Sequence, residues 1–354
     1  MIVKLGEVAR ECRNTWKESK EGVPVVGLEH LEPGEITLSA WDIDSENTFS
    51  KKFSAGQVLL GRRRVYLRKA VLAPMDGICS GDITVIEALP NKILPELLPF
   101  IIQNDAFFNY AMKGSAGSLS PRVKWEHLQD YEFALPPLSE QRVLADKLWA
   151  AYRLKESYKK LLKATDEMVK SQFIEMFKDS VKIKLGELAS YVNGSAFKPE
   201  EWSSVGLPIV RIQNLTQEDT PFNYFEGDTS RKVCINTGDI LVSWSATLGV
   251  FTWLKGQALL NQHIFKVVFD KLDIKRAFFI YTVKLALEKM SANAHGSTMR
   301  HIVKKDFDST MVAYPSVEEQ EKFEAIYKQS DKSKFELNKS IEAIDAVIKS
   351  LINN

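Results

Sequence analysis

The sequence predicts an α+β protein: two β-rich domains separated by an antiparallel coiled coil of two long helices, with an approximate internal two-fold repeat. Three observations predict this architecture. The segment "LPPLSEQRVLADKL" at 135–148 returns as "YPSVEEQEKFEAIY" at 314–327. Before each copy lie short apolar runs broken by Gly, Pro, Asn and Asp, a pattern typical of strands and turns. After each copy, the chain continues to the end of its half without glycine or proline, which favours a long helix.

The two halves of the chain follow one plan in the same order. The offsets between matching segments stay within 179 to 184 residues, and loop insertions explain a drift of that size. Solenoid repeats have periods of about 20–50 residues, so this is a duplicated domain. The matching pairs are "KLGEVA" at 4–9 with "KLGELA" at 184–189, "GVPVVGLEHL" at 22–31 with "GLPIVRIQNL" at 206–215, "AGQVLL" at 55–60 with "TGDILV" at 237–242, and "GSLSPRV" at 117–123 with "GSTMRHI" at 296–302.

Each copy divides into a β-rich part and a helical part. The predicted boundaries are 1–136 and 180–315 for the β-rich domains, and 137–179 and 316–354 for the long helices. Runs such as "VPVVGL", "QVLLGRRRVYL", "ITVIEAL", "LPIVRI", "DILVSW" and "HIFKVVF" predict strands, and "LPELLPFIIQNDAFFNYAM" predicts a helix or two.

Both long helices carry the 4-3 spacing of a coiled-coil seam, and adding 179 to each position of the first seam gives the second. Lys155 and Lys334 occupy equivalent seam positions and are predicted to set register or direction. Ser316 and Glu319 form a capping box at the start of the second helix, where the first helix has Pro137. The apolar seam residues are Leu144, Leu148, Tyr158, Leu162 and Val169 in the first helix and Phe323, Tyr327, Leu337, Ile341, Ile344 and Ile348 in the second, with Ala151, Thr165, Ser330 and Leu351 completing the spacing.

Two copies of one seam in one chain can pack on each other. About 37 helical residues span roughly 55 Å, and an antiparallel pair would hold one β-rich domain at each end, related by an approximate two-fold axis. The alternative is that each helix packs on its own domain. A pseudo-two-fold protein suits a pseudo-two-fold partner such as duplex DNA, with two unlike half-sites separated by unread bases.

Composition narrows the class of protein without naming a function. Lys plus Arg is 47 and Asp plus Glu is 46, so a protein that coats DNA through overall charge is not expected. No run of about eighteen apolar residues predicts a membrane span, and no secretory leader is evident. Three scattered cysteines, Cys12, Cys79 and Cys234, fit buried thiols in a reducing cytoplasm better than a disulfide framework.

Motifs for catalysis and metal binding are missing from the sequence. It contains no P-loop, G-x-G-x-x-G, H-E-x-x-H or G-x-S-x-G motif. "LPPL" is the only Pro-Pro and lacks the amide and aromatic residue of an adenine clamp for methyl transfer. No metal site is predicted, because the histidines show no ligand spacing; they are His30, His127, His263, His295 and His301.

Signals for nucleic-acid binding are stronger. "GRRRVYLRK" at 61–69 packs five cations into nine residues, and arginine suits guanine and phosphate, although a solvated edge strand is the alternative. "RIQNL" and "NQHIF" offer amides suited to adenine, or ordinary caps and turns. Two small-residue loops followed by cations suit phosphate, or are simply mobile surface. The candidate DNA-binding residues are Arg62, Arg63, Arg64, Arg68, Lys69, Arg122, Lys124, Arg211, Gln213, Asn214, Asn261, Gln262, Arg300, Lys304 and Lys305.

Taken together, the two "KLGE" starts, the "G-x-P-[VI]-V" and "G-[QD]-[VI]-L" strands, the "G-S" loops and the two "P-x-[LV]-x-E-Q" helix entries resemble the specificity subunits of Type I restriction-modification systems. The resemblance covers essentially the whole chain. It implies two target recognition domains, each contacting one part of a gapped double-stranded DNA site, separated by two conserved spacer helices.

The resemblance also implies partners. Two methyltransferase (M) subunits would bind along the chain, carry S-adenosylmethionine and methylate adenine N6, and restriction (R) subunits would add ATP- and Mg²⁺-dependent translocation and cleavage. No cofactor is expected in this chain, which would be a non-catalytic subunit. The sequence departs from a perfect repeat, since "SWSATLGVF" at 243–251 has no counterpart to the arginine run. Two alternatives remain: a structural coiled-coil adaptor without sequence-specific DNA binding, and an enzyme in its own right.

Overall fold

The computed structural model describes residues 1–117, 120–217, 219–293 and 302–353, and the statements below concern those residues. The chain folds into two compact units. The first comprises Met1–Leu161 with Leu337–Asn354, and the second comprises Leu162–Glu336. Each of the two long helices therefore contributes one part to each unit.

The first unit contains ten strands, four short helices and the start of the first long helix among the residues described. These elements are β1 Ile2–Lys4, α1 Leu5–Val8, β2 Ala9–Cys12, β3 Pro24–Val26, β4 Asp42–Ile43, β5 Lys51–Phe53, β6 Val58–Gly61, β7 Ala70–Leu72, β8 Gly77–Cys79, β9 Ile83–Ala88, α2 Leu98–Ile102, α3 Asp105–Lys113, α4 Trp125–Leu128, β10 Glu132–Ala134 and α5 Leu138–Phe177, with 3₁₀ turns at Leu28–His30 and Val65–Leu67.

The second unit repeats this plan. Its elements are β11 Lys182–Lys184, α6 Leu185–Leu188, β12 Ser190–Asn193, β13 Leu207–Val210, α7 Ile212–Thr216, β14 Asn223–Phe225, β15 Cys234–Ile235, β16 Ile240–Ser243, β17 Gly249–Thr252, β18 Ala258–Leu260, β19 Ile264–Val268, α8 Arg276–Asn293, α9 Lys304–Ser309, β20 Met311–Ala313 and α10 Val317–Asn353, with a 3₁₀ turn at Pro199–Glu201.

Sheet topology is the same in both units. The first has two four-stranded sheets, β2-β9-β6-β7 and β4-β3-β8-β5, and a ribbon β1-β10; the second has β12-β19-β16-β17, β14-β13-β18-β15 and β11-β20. In each unit one pair is parallel, β3 with β8 and β13 with β18, while the other pairs are antiparallel. This duplicated topology confirms the predicted α+β class with two β-rich domains.

The long helices pair in opposite directions. In the second unit, the ring of Phe323 in α10 lies 5.0 Å from that of Phe173 in α5, while Asp166, earlier in α5, pairs with Lys334, later in α10. In the first unit, residues near the start of α5 and the end of α10 line one cavity. Every position of the two predicted seams is buried or half-buried. The predicted antiparallel pairing is therefore confirmed, and the predicted boundaries of the domains stay a prediction.

Two ion pairs related by the repeat link the helices. Lys155 Nζ lies 2.6 Å from Asp345 Oδ1 in the first unit, and Lys334 Nζ lies 2.9 Å from Asp166 Oδ1 in the second. Both lysines and both aspartates are 179 residues apart in sequence. The Lys155 side chain is only 12% exposed, and the Asp345 carboxylate compensates for the loss of its contacts with water. A parallel arrangement or a shifted register would separate these charges.

The repeated Glu-Gln pair fastens each helix start to its own unit. Gln141 is buried; its Oε1 accepts from the Leu94 amide at 2.9 Å and its Nε2 donates to the Pro136 carbonyl at 2.9 Å. Gln320 makes the same contacts with Lys275 at 2.9 Å and Pro315 at 3.0 Å. The buried amide satisfies otherwise orphaned backbone groups.

The capping box predicted at the second helix is present as well, since Ser316 and Glu319 bond reciprocally. The Ser316 amide donates to Glu319 Oε2 at 2.9 Å, and the Glu319 amide donates to Ser316 Oγ at 3.3 Å.

A close backbone approach explains the glycine of both "KLGE" segments. A Cβ on Gly6 would lie 2.9 Å from the Cβ of Gln129, and one on Gly186 would lie 3.0 Å from the Cβ of Asp308. Any larger residue would push α1 away from the segment after α4, and α6 away from α9.

One predicted strand was wrong in extent, and the predicted helical segment divides into two helices. The run "QVLLGRRRVYL" is not one strand: β6 ends at Gly61, and a 3₁₀ turn at Val65–Leu67 follows, flanked by Arg64 and Arg68 in the left-handed conformation, both at φ 53°. "LPELLPFIIQNDAFFNYAM" forms two helices, α2 and α3, because Asn104 leaves the helical conformation and caps α3 through a bond to the Ala106 amide.

The pair between Lys155 and Asp345 gives a stability prediction. Replacing Asp345 by alanine leaves the poorly solvated ammonium of Lys155 without its partner. We expect the free energy of unfolding to fall by about 1–2 kcal/mol, between the values typical of exposed and buried pairs. Urea unfolding of the full chain measures the change.

The exposed pair between Lys163 and Glu167, at 4.0 Å with side chains 81% and 68% exposed, supplies the control. Glu167→Ala should cost less than about 0.5 kcal/mol. Exchanging the charges, Lys155→Asp with Asp345→Lys, should recover much of the stability. Equal costs for Asp345→Ala and Glu167→Ala would contradict a special role for the seam pair.

Candidate nucleic-acid interface

Three chain segments meet at the ends of strands in the first unit. The Arg62 amide donates to the Asp82 carbonyl at 2.9 Å, the Val123 amide donates to the Arg62 carbonyl at 3.0 Å, and the Arg64 amide donates to the Pro121 carbonyl at 2.8 Å. These bonds fix the chain after β6, the turn before β9 and the segment before α4 against one another. Side chains from distant parts of the sequence are thereby held at one place.

These segments border a cleft of about 950 Å³, here called the first-unit cleft, whose floor also includes the chain after β2 and before β5. Five cations and three carboxylates line it, together with small polar residues and two aromatic rings. Its lining residues are Glu11, Arg13, Asn14, Thr15, Thr48, Phe49, Ser50, Lys51, Arg62, Ser80, Gly81, Asp82, Arg122, Lys124, Trp125 and Glu126.

Asp82 forms ion pairs with two arginines, Arg122 in the cleft lining and Arg63 beside it. Arg122 bonds it through two nitrogens, Nε to Oδ1 at 2.7 Å and Nη2 to Oδ2 at 3.3 Å, and Arg63 Nη1 lies 3.5 Å from Oδ2. The hydrogen bond from Arg122, more than the charge of Arg63, holds the pKa of Asp82 below its ordinary value of 3.8. The fork geometry orients both guanidinium groups.

Two cleft cations were not predicted from the sequence. Arg13 bonds Glu11 at 2.7 Å and Glu126 at 3.1 Å, and Lys51 donates to the Ile83 carbonyl at 2.7 Å. Burial lowers the pKa of Lys51. Neither residue belongs to a charge run or a repeated motif, so no local signal marks them. The bridge between Thr15 and Lys51 brings their segments together in the fold.

Arg62 and Lys124 differ from the other cleft cations. Within the described ranges, neither side chain has a hydrogen-bonded or ion-paired partner, whereas Arg13 and Arg122 pair with carboxylates and Lys51 donates to a backbone carbonyl. Arg62 is half-buried and its Nε is enclosed without an acceptor, whereas Lys124 is exposed.

The rest of the predicted arginine run points elsewhere. Arg68 pairs with Asp105, and its Nη2 donates to Asn109 at 3.2 Å. Lys69 donates to the Leu28 carbonyl at 2.7 Å, and Arg64 is exposed. Because the run turns at Arg64 and Arg68, its cations do not share one face, and the structure brings only Arg62 and Arg63 to the cleft region together with Arg122 and Lys124.

The second unit repeats the backbone hydrogen bonds made by Arg62, here called the backbone frame, with different side chains. The Trp244 amide donates to the His263 carbonyl at 3.4 Å, and the Ile302 amide donates to the Trp244 carbonyl at 3.0 Å. These bonds correspond to those of Arg62 in the first unit. The Trp244 ring lies 5.3 Å from that of His263 and 5.7 Å from that of Phe265. An aromatic cluster thus replaces the charged one.

Polar candidates in the second unit surround this frame. Gln262 is exposed, with its Nε2 3.3 Å from His263 Nε2. The backbone amide of Asn261 donates to the Val210 carbonyl at 3.0 Å. Lys304 lies over the Phe265 ring at 5.3 Å and pairs with Asp308 at 2.9 Å. Lys305 is exposed, and Arg300 lies outside the described residues.

The "RIQNL" residues divide into exposed and structural. Arg211 stacks over Trp202 at 5.5 Å, with its Nε enclosed, and Gln213 is exposed. Asn214 is buried; its Oδ1 accepts from the Arg211 amide at 3.0 Å and its Nδ2 donates to the Thr220 carbonyl at 3.1 Å. The side-chain amide of Asn214 is occupied by backbone groups of neighbouring residues, as expected for cap chemistry.

No cluster of His, Cys, Asp and Glu able to hold a metal occurs among the residues described. Burial raises the pKa of the Cys12 thiol to about 11 and that of Cys79 to about 12, so neither is a thiolate at neutral pH. In the same ranges no helix combines the length and apolar character needed to cross a membrane.

Sequence comparison finds similarity to restriction specificity proteins. The family model for the Type I restriction modification DNA specificity domain matches residues 178–345. The Type I restriction enzyme EcoBI specificity subunit of Escherichia coli is 25% identical over 163 residues, 44% of this chain and 34% of that subunit. The putative Type I restriction enzyme MjaX specificity subunit of Methanocaldococcus jannaschii is 21% identical over 404 residues, 99% of this chain and 91% of that one. The match to EcoBI thus spans about a third of that relative.

Solved structures share the fold. A chain from a study of complex assembly and conformational transition of the Type I R-M system matches with a TM-score of 0.58 and 19% identity, over 99% of this chain and 96% of that one. The S subunit of the Type I restriction-modification system from M. genitalium matches with a TM-score of 0.53 and 14% identity, over 100% and 95%. At these identities the likeness concerns the fold.

The Asp82 contacts give a titration prediction. The folded pKa of Asp82 is lowered, so its stabilisation is present above its unfolded pKa and disappears as pH falls through the folded value. In Arg122→Ala we expect that pKa to rise toward 3.8, followed by carboxyl ¹³C NMR. Lys124→Ala, which removes a cleft cation without touching Asp82, should leave the titration unchanged. An unaltered pKa in Arg122→Ala would show that Arg122 does not hold the carboxylate in solution.

Proposed function

We propose that this chain, which belongs to the family of Type I restriction-modification specificity subunits, recognises a bipartite gapped DNA site and scaffolds the subunits that modify and cleave DNA. One observation carries the proposal. The two units have the same sheet topology and the same backbone frame at their candidate interfaces, yet unlike side chains occupy it. A repeated scaffold with different recognition groups suits two half-sites of different sequence.

The first-unit cleft has the chemistry of a DNA contact. It offers arginines held in fixed orientations, exposed cations for phosphates and small polar residues that let a backbone approach. In the second unit, Gln262, Lys304 and Lys305 surround an aromatic cluster that includes Trp244 and His263. Amides can bond base edges and lysines can bond phosphate, so the second unit would recognise its half-site by other means.

The long helices are proposed to set the gap between the half-sites. They contain 40 and 37 residues and pair in opposite directions in each unit. The bases between the two recognised parts would go unread, because no recognition element is contributed by the paired helices themselves.

Catalysis is assigned to partners. Two methyltransferase subunits would bind the chain, carry S-adenosylmethionine and methylate adenine N6, and restriction subunits would add ATP- and Mg²⁺-dependent cleavage. This chain would supply no reacting group, and the raised thiol pKa values of Cys12 and Cys79 support that assignment. The complex would act in the cytoplasm, where its DNA substrate lies.

A coiled-coil adaptor without DNA recognition is the weaker candidate. It would need paired helices, but it would not need five cations at a cleft of the first unit or a second unit that preserves the frame while changing its side chains. The family and fold comparisons favour the specificity subunit.

Truncating the arginines after β6 tests DNA binding directly. We expect Arg62, Arg63 and Arg64 changed to alanine to weaken binding and to flatten the plot of log affinity against log salt by about one unit for each phosphate that these side chains neutralise. Binding of labelled duplex to the assembled complex over a salt series measures both effects.

Changing three exposed cations of α5 to alanine, Arg153, Lys160 and Lys163, removes the same charge away from the cleft. That variant should keep its affinity. An unchanged affinity in the variant with alanine at Arg62, Arg63 and Arg64 would exclude these arginines from the DNA interface.

Lengthening both helices tests whether they set the gap. Inserting seven residues into α5 and seven into α10 preserves the seam and moves the ends of the helices apart by about 10 Å. We expect the methylated site to keep both half-sites and to acquire a longer gap, read by mapping methylated adenines in cells that carry the variant. An identical gap would show that helix length does not determine spacing.

A further inference from the structure

The cations of the first-unit cleft are not equivalent. Arg13 is held by Glu11 and Glu126, and Arg122 by Asp82, so their charges are already balanced by carboxylates of the protein. The Lys51 ammonium donates to a backbone carbonyl. These cations are oriented and largely satisfied before any ligand arrives.

The backbone of Arg62 is held in place, but its guanidinium group has no hydrogen-bond acceptor among the residues described. Its backbone is fixed on both sides, since its amide bonds the Asp82 carbonyl and its carbonyl accepts from the Val123 amide. Its side chain is half-buried, its Nε is enclosed without an acceptor, and no carboxylate within the described part of the chain pairs with it. Partly burying an uncompensated guanidinium costs free energy unless a ligand supplies acceptors.

The surroundings of Arg62 favour a base edge over a phosphate. The exposed side chains of Arg122 and Lys124 are accessible to phosphates, whereas the side chain of Arg62 is half-buried and its Nε is enclosed. The edge of a base is planar and neutral and carries its own acceptors. Guanine presents O6 and N7 acceptors in the major groove, which match the fork of an arginine bidentately.

We propose that Arg62 is a specificity-determining residue that bonds a guanine in the half-site recognised by the first unit. This inference rests on the proposed function. Trp244 holds the corresponding place in the frame of the second unit, so the guanine requirement set by this position belongs to one half-site only.

The test uses the chain assembled with its methyltransferase partner and a duplex that contains its mapped methylation site. Each guanine is replaced in turn by 7-deazaguanine, which lacks the N7 acceptor. With the natural chain, we expect replacement of one guanine in one half-site to lower the affinity by about 2- to 12-fold, since 7-deazaguanine loses one of the two hydrogen bonds of a bidentate contact. With Arg62→Ala, replacing that guanine should have no further effect, while the other half-site is recognised as before.

Lys124→Ala is the matched control, because it removes another unpaired cation from the same cleft. It should weaken binding alike on every sequence and leave the guanine effect intact. Arg62→Gln, which keeps a long polar side chain, replaces Arg62→Ala if alanine prevents assembly, and it should also abolish the guanine effect.

Three results would overturn the inference. They are a natural site in which no guanine responds to 7-deazaguanine, a guanine effect that survives in Arg62→Gln or Arg62→Ala, and a loss of preference at both half-sites together. A natural complex without any sequence preference would overturn the proposed function as well. A natural complex with a bipartite site that Arg62 variants leave unchanged would overturn this inference alone.

Discussion

The antiparallel pairing of the two long helices is the constraint on which the architecture depends. Because the helices run in opposite directions, each compact unit is completed by the start of one helix and the end of the other. Lys155 with Asp345 and Lys334 with Asp166 are the same contact made twice, once in each unit. A lysine with little exposure tolerates few alternative registers, so these pairs favour one alignment of the seam.

Recognition chemistry is built on a frame that does not depend on the recognising side chains. Backbone hydrogen bonds tie residue 62 to Asp82 and Val123, and the corresponding bonds tie Trp244 to His263 and Ile302. Main-chain groups can keep this geometry while side chains vary, because each residue offers the same donor and acceptor. The fold therefore permits the two units to diverge in sequence preference without disturbing their cores.

Local patterns predicted much of the fold but little of the interface. The repeat, the seams and the capping box at Ser316 depend on neighbours at fixed spacing, which periodicity detects. The arginine run was predicted as one strand, whereas left-handed residues at Arg64 and Arg68 turn it and scatter its cations. Asn214 was grouped with possible base contacts, but its side-chain amide is bonded to the backbone of Arg211 and Thr220. Whether a polar side chain bonds a nearby backbone group or stays available for DNA depends on the folded structure, and the local sequence does not show it.

By itself, the sequence determined that the chain is duplicated, that its long helices share one seam and that the recurring Glu-Gln marks a helix entry, since these features repeat at nearly constant offsets. Only the tertiary structure decided which charges are available. Among the residues it describes, it joined Arg13 and Lys51 to the cleft, balanced Arg122 against Asp82 and left Arg62 without a paired carboxylate. The physical reason is that ion pairing depends on the distances in space between segments far apart in the chain. The spacing of residues along the sequence does not determine those distances.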